Sequence, residues 1–333
     1  MRRRASPVVR APAMALALAL GLGLSAAPAG CHKEPGGPGN VDECSGNAFT
    51  PIPPAEGGPL RDPAATPAQA AAIDHVTAFR LAAGALPINL DPNIDVASSA
   101  HAAYFVNNPQ AYAFGLSPHE EDPAYPMGYT GINFWDRLAA AGYGGAPAYE
   151  VMHFIDDPVP AIDSWLNSVY HRAPFVSPAM IDLGYGGASG AGGAADVVDF
   201  GCCRGGVSLD TTILYPYHDQ ADVPAAFDGA EGPAPPEPAG GWPSGPIVSI
   251  SFHPQADWSI SAHEIYDESC TPLAHLASAG PDADPRFEQC FLGGIFLMYP
   301  VQPLAPGATY TVDVAGALEG APFVRTWRFR TAE

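Results

Sequence analysis

Two stretches in which proline and glycine displace every hydrophobic period limit how this chain can fold. One covers residues 31–66 and the other 216–245, where Glu231-Gly-Pro-Ala-Pro-Pro-Glu-Pro-Ala-Gly-Gly241 is the densest run. Proline has no N–H for a helix or ladder, and glycine loses the most freedom on ordering, so neither stretch supports an element of its own. The first reads as a disordered tether and the second as a linker. Two folded regions remain, 67–215 and 246–333, each with room for a core.

Residues 1–30 carry the grammar of a signal peptide: a basic start (Met1 to Arg10), an apolar run (Met14 to Leu24) too short to span a bilayer, then small residues. The ending Ala29-Gly30-Cys31 resembles a bacterial lipoprotein signal, in which Cys31 would be acylated as the anchor, although Pro28 stands where that signal usually has Leu. Plain secretion is the other reading. Both place the mature chain in the cell envelope or outside the cell, where cysteines oxidise. Cys270 and Cys290, flanking one loop, read as a disulfide. Cys44 reads as bridged to Cys202 or Cys203 with one odd thiol, or else Cys202 and Cys203 form a vicinal pair.

Charge narrows the partners. With 14 Lys and Arg against 35 Asp and Glu, the net charge of −21 repels phosphate backbones, which excludes nucleic acid. Lys33 is the sole lysine, leaving no polybasic patch and no lysine nucleophile in the folded regions.

Local signals predict an α+β first region. Thr66-Pro67-Ala68-Gln69 is a capping box opening a helix that carries Ile73, Val76 and Phe79 and stops at Gly84. Asp91-Pro92 opens a second, with Ile94, Ala97, His101 and Tyr104 on one face. Residues 134–141 and 158–170 read as further helices, and 180–184 and 195–200 as strands divided by a glycine-rich stretch. From residue 246 the pattern becomes strands at 247–252, 258–265, 295–301, 310–314 and 326–331, a small all-β sandwich.

Four segments of the first region resemble bacterial members of the CAP superfamily (cysteine-rich secretory protein, antigen 5, pathogenesis-related 1; the SCP domain). They are Asp91-Pro-Asn-Ile-Asp-Val-Ala-Ser-Ser-Ala-His-Ala102, Phe134-Trp-Asp-Arg-Leu-Ala-Ala-Ala-Gly-Tyr143, Trp165-Leu-Asn-Ser-Val-Tyr-His-Arg172, and Leu183-Gly-Tyr-Gly186 after Pro178. Leu304 to Val312 with Trp327-Arg-Phe-Arg-Thr331 resembles the last strands of bacterial immunoglobulin-like modules. The resemblance implies an α-β-α sandwich CAP domain followed by an immunoglobulin-like sandwich, and a cleft formed by His119, Glu150 and His171, with Glu120 beside them. Glu150 lacks the family's flanking Gly and Asn, and Asn167 and Ser168 stand where many eukaryotic members add a second glutamate.

Family members are mostly non-enzymatic secreted proteins, several implicated in binding sterols or other lipids. The expected function is therefore binding of a small apolar, lipid- or sterol-like molecule or of a cell-surface component. Two other readings stand beside it. In one, His119, His171 and Glu150 hold a divalent metal such as zinc for hydrolysis; in the other, the chain is a structural envelope protein. His101, on the apolar side of its helix, reads as a hydrogen-bonded core residue. His153, three residues from Glu150, points away from the cleft if that segment is a strand.

Overall fold

The computed structural model describes residues 41–190, 192–278, 283–284, 286 and 292–333. The expected signal peptide, Cys31 and Cys290 lie outside the described residues.

The first helix, α1 (Pro67–Ala82), starts as its sequence dictates: the Gln69 N–H donates to Thr66 Oγ1, and the Thr66 N–H donates to Gln69 Oε1. Asp91 caps α2 (Pro92–Asn107) by accepting from the N–H groups of Asn93 and Ile94. Two four-residue helices, α3 (Pro109–Tyr112) and α6 (Ala173–Val176), flank the longer α4 (Phe134–Ala141) and α5 (Pro158–Leu166). Left-handed Gly142 (φ 88°) ends α4.

These helices surround a four-stranded sheet of order β1-β3-β4-β2, built from β1 (Asn89–Leu90), β2 (Ala146–His153), β3 (Met180–Gly190) and β4 (Gly193–Cys202). Alternation along the strands divides their side chains between two cores. Val151, Leu183, Tyr185, Val198 and Phe200 pack with Ile73, Val76, Ile162 and Trp165 of α1 and α5. Met152, Ala195 and Val197 meet Ala102 and Val106 of α2 instead. Glycines let α2 lie this close, since a Cβ at Gly186 would sit 2.2 Å from the Ser98 carbonyl carbon and one at Gly184 2.4 Å from that of Ile94. The glycine-rich stretch is thus strand, where the sequence reading had a divider.

Two further four-stranded sheets form the rest. One, of order β5-β7-β10-β9, contains β5 (Thr212–Tyr215), β7 (Val248–Phe252), β9 (His275–Ser278) and β10 (Ile295–Pro300). The other, of order β6-β12-β11-β8, contains β6 (Gln220–Val223), β8 (Trp258–Tyr266), β11 (Thr309–Leu318) and β12 (Ala321–Thr331). They enclose a core around Ile250, Phe296, Val312, Trp327 and Phe329. The chain is therefore α+β and dominated by strands.

Three expectations require correction. Residues 41–66 are no free tether: the Thr50 N–H donates to the Thr326 carbonyl, the Ala55 N–H to that of Leu81, and Ile52 packs on the sandwich core. A segment without a period of its own is held by borrowing exposed backbone partners. Residues 216–245 are no plain linker either, for they supply β6, bury Phe227 and Glu231, and donate and accept between Phe227 and Ser244. Last, Cys270 pairs with Cys44, not Cys290, fastening the N-terminal segment to the β8–β9 loop, and Cys202 is bonded to Cys203.

The 67–215 and 246–333 boundaries also shift. β5 and β6 precede residue 246 yet belong to the sandwich sheets, and the first core runs on through Tyr215, Ile247, Leu297 and Tyr299. Residues 40–333 form one compact unit.

Candidate functional site

Strand β2 runs antiparallel to β4 with Glu150 opposite Asp199. Because Val151 takes the α1 side, Glu150 projects to the other side, towards α4, whose Arg137 is fully buried. The Arg137 guanidinium donates from Nη2 to Glu150 Oε2 and, at 3.1 Å, to the His119 carbonyl; Nη1 donates to the Ile132 carbonyl at 3.0 Å. One cation thus neutralises Glu150 and ties the α3–α4 loop over it.

That loop is organised from within by a second buried pair. Glu121 Oε2 accepts from the Thr130 N–H at 2.7 Å, and His101 Nδ1 lies 3.0 Å from Glu121 Oε1. His101 Nε2 faces the Pro118 carbonyl at 3.0 Å. Both ring nitrogens face acceptors. The sequence reading of His101 as a hydrogen-bonded core residue agrees with this. Glu121 is wholly enclosed.

Burial alone would raise the Glu150 carboxyl, but the charges of His101 and Arg137 and the hydrogen bond from His119 outweigh it and hold Glu150 well below the usual carboxylate range. Asp199 is driven the opposite way, by burial and then by the Glu150 charge, and Ser98 Oγ donates to its Oδ2 at 2.8 Å.

On this base stand two imidazole–carboxylate pairs. His119 Nδ1 lies 2.9 Å from Glu150 Oε1, with about a third of the side chain exposed. His171 Nδ1 lies 2.7 Å from Glu231 Oε1. The buried Glu231 carboxylate also accepts from the backbone N–H groups of Val169, Tyr170 and His171 at 2.7, 2.8 and 3.0 Å. Burial again opposes ionisation, but the hydrogen bond and charge of His171 and these amides lower the Glu231 carboxyl below its ordinary value. Each carboxylate engages Nδ1, which leaves Nε2 as the ring nitrogen not committed to a carboxylate.

His119, Glu120, Glu150 and His171 all line one cleft of about 530 Å³, whose walls include Phe134, Trp135, Tyr149, Pro174 and Pro233. The sequence-predicted set is thereby brought together. His153 is not in the lining; it stacks edge-on against Trp165 at 6.2 Å.

A metal does not fit the set His119, His171 and Glu150. Both Glu150 oxygens are engaged, one by a buried guanidinium that would repel a cation, and His171 is turned to a different carboxylate. Among the described residues no group of three His, Cys, Asp or Glu side chains is placed to hold a metal ion.

Sequence reasoning missed Glu231, Arg137 and Glu121. Arg137 gave a signal, an arginine beside Leu138 in a helix with a buried face. Glu231 gave none, because it lies in a run of Pro and Gly. The chain matches no protein-family model and no curated protein. Among the described residues, no helix is long and apolar enough to cross a membrane.

Proposed function

We propose that this is a secreted or envelope-tethered protein of the CAP superfamily, with an α-β-α sandwich carrying the cleft and an immunoglobulin-like sandwich beside it, and that it acts by binding a small ligand without transforming it. One observation carries the reading. His119, Glu150 and His171, separated by up to 52 positions and expected from the family resemblance to form a cleft, line a single open cleft. The helices on the two faces of the β1-β3-β4-β2 sheet support the same assignment.

The arrangement suits binding. Each imidazole is fixed by a buried carboxylate, so little side-chain freedom is lost when a ligand is engaged. Most of the wall is aromatic, aliphatic or proline, as in small-molecule sites generally. The test is a fragment screen by ligand-observed NMR on mature protein and on Ala148→Trp, which fills the cleft. Fragments that bind the parent and are lost in the variant are expected. Fragments that bind both equally, or neither, would refute a cleft-based binding role.

A further inference from the structure

The polar groups of the cleft suit a hydroxyl-bearing ligand. His119 and His171 each have Nδ1 against a buried carboxylate, which leaves Nε2 as the ring nitrogen that meets a ligand. Glu120 adds a carboxylate, and among the described residues no Lys or Arg lines the cleft. An anionic ligand would meet two carboxylates and a chain of net charge −21. A purely apolar ligand would bury both Nε2 atoms without a hydrogen-bond partner, which is costly. The complementary ligand is neutral and carries hydroxyl groups, which both donate and accept.

The walls specify the rest. Trp135 stands in the first turn of α4 with about half of its surface exposed, 5.0 Å from the Phe134 ring, although an indole is normally drawn into a core. An exposed indole at the edge of this cleft offers a flat π face to the C–H groups of a saturated ring. We infer that the ligand is a neutral saccharide, its hydroxyls hydrogen-bonded to His119 Nε2 and His171 Nε2 and one ring stacked on Trp135. The inference rests on the binding reading above and narrows it to a ligand class.

The experiment is a titration of the mature protein, followed by ligand-observed NMR, with cellobiose, maltose and N,N′-diacetylchitobiose, and in parallel with glucuronate, glucose 6-phosphate and palmitate. At least one neutral disaccharide is expected to bind saturably. Trp135→Ala, at a half-exposed position, is expected to weaken it about tenfold, and His171→Phe as much or more. The inference is overturned if no neutral disaccharide binds, if glucuronate or glucose 6-phosphate binds more tightly than the neutral sugars, or if neither variant changes the affinity. Palmitate or a fragment binding in the cleft, with all the sugars silent, would overturn the saccharide while leaving the binding role standing; no cleft binding of any kind would remove both.

Discussion

Glu231 shows how one side chain can hold a site together from a segment that looks structureless. Its carboxylate satisfies three successive backbone N–H groups and sets the tautomer of His171. Glu231→Ala leaves those donors without their acceptor, and urea denaturation should show a loss of about 3–5 kcal/mol. A loss below ~1 kcal/mol would mean that water replaces it freely. Asp95 makes a contrasting prediction. Burial, against a hydrogen bond from the Tyr185 N–H and with the charges of Asp62 and Asp91, raises its carboxyl to about 7. The folded form then holds the proton more tightly than the unfolded chain, so this group favours folding at low pH. That contribution is lost as pH rises from about 4 to about 7, with a slope of up to ~1.4 kcal/mol per pH unit. Asp95→Asn should remove the slope and be more stable than the parent at pH 8, with the advantage shrinking towards pH 4; equal stability curves would contradict the shift.

Among the elements, helix starts and sandwich strands were the most legible. The Thr66–Gln69 capping box, the Asp91 cap and the Gly142 stop are local chemistry, and the structure has each where the residues put it. The alternating strand ending in Trp327-Arg-Phe-Arg extends further than its pattern, because pairing along β11 carries β12 back to Ala321. What stayed illegible is stabilised from outside the segment concerned. Residues 41–66 dock on other elements' backbones and are fastened by Cys44–Cys270, and β5 and β6 are edge strands of four residues recruited by neighbours. Gly186 reads as part of a glycine-rich divider but, like Gly184, serves the approach of α2 to the sheet. Gly186→Ala should therefore cost about 1–3 kcal/mol in urea denaturation, whereas Gly205→Ala, with open space around it, should be near neutral. Equal effects at the two positions would contradict the close packing of α2.

For the whole molecule, Arg172 is the clearest tie between the parts that sequence separated. Its buried guanidinium donates to the Ser168 carbonyl on one side and to the Ile247 carbonyl on the other, at 2.7 and 2.8 Å, over the Tyr215 ring. With the first core also continuing into β10, residues 41–215 expressed alone should fail to give a cooperative unfolding transition, and the parent should unfold in one. Two separate calorimetric transitions would restore the two-domain picture. The site obeys the same logic, since its histidines were legible by motif while the groups that aim them, Arg137 and Glu231, come from helix packing and from a Pro-rich segment. The most direct test is a long-range 1H–15N correlation spectrum of the imidazoles in the mature protein near neutral pH. It should show His119 and His171 both carrying a proton on Nδ1, and both signals should move together when a cleft ligand is added; an unprotonated Nδ1 in either ring, or a ligand that moves only one of them, would contradict the account.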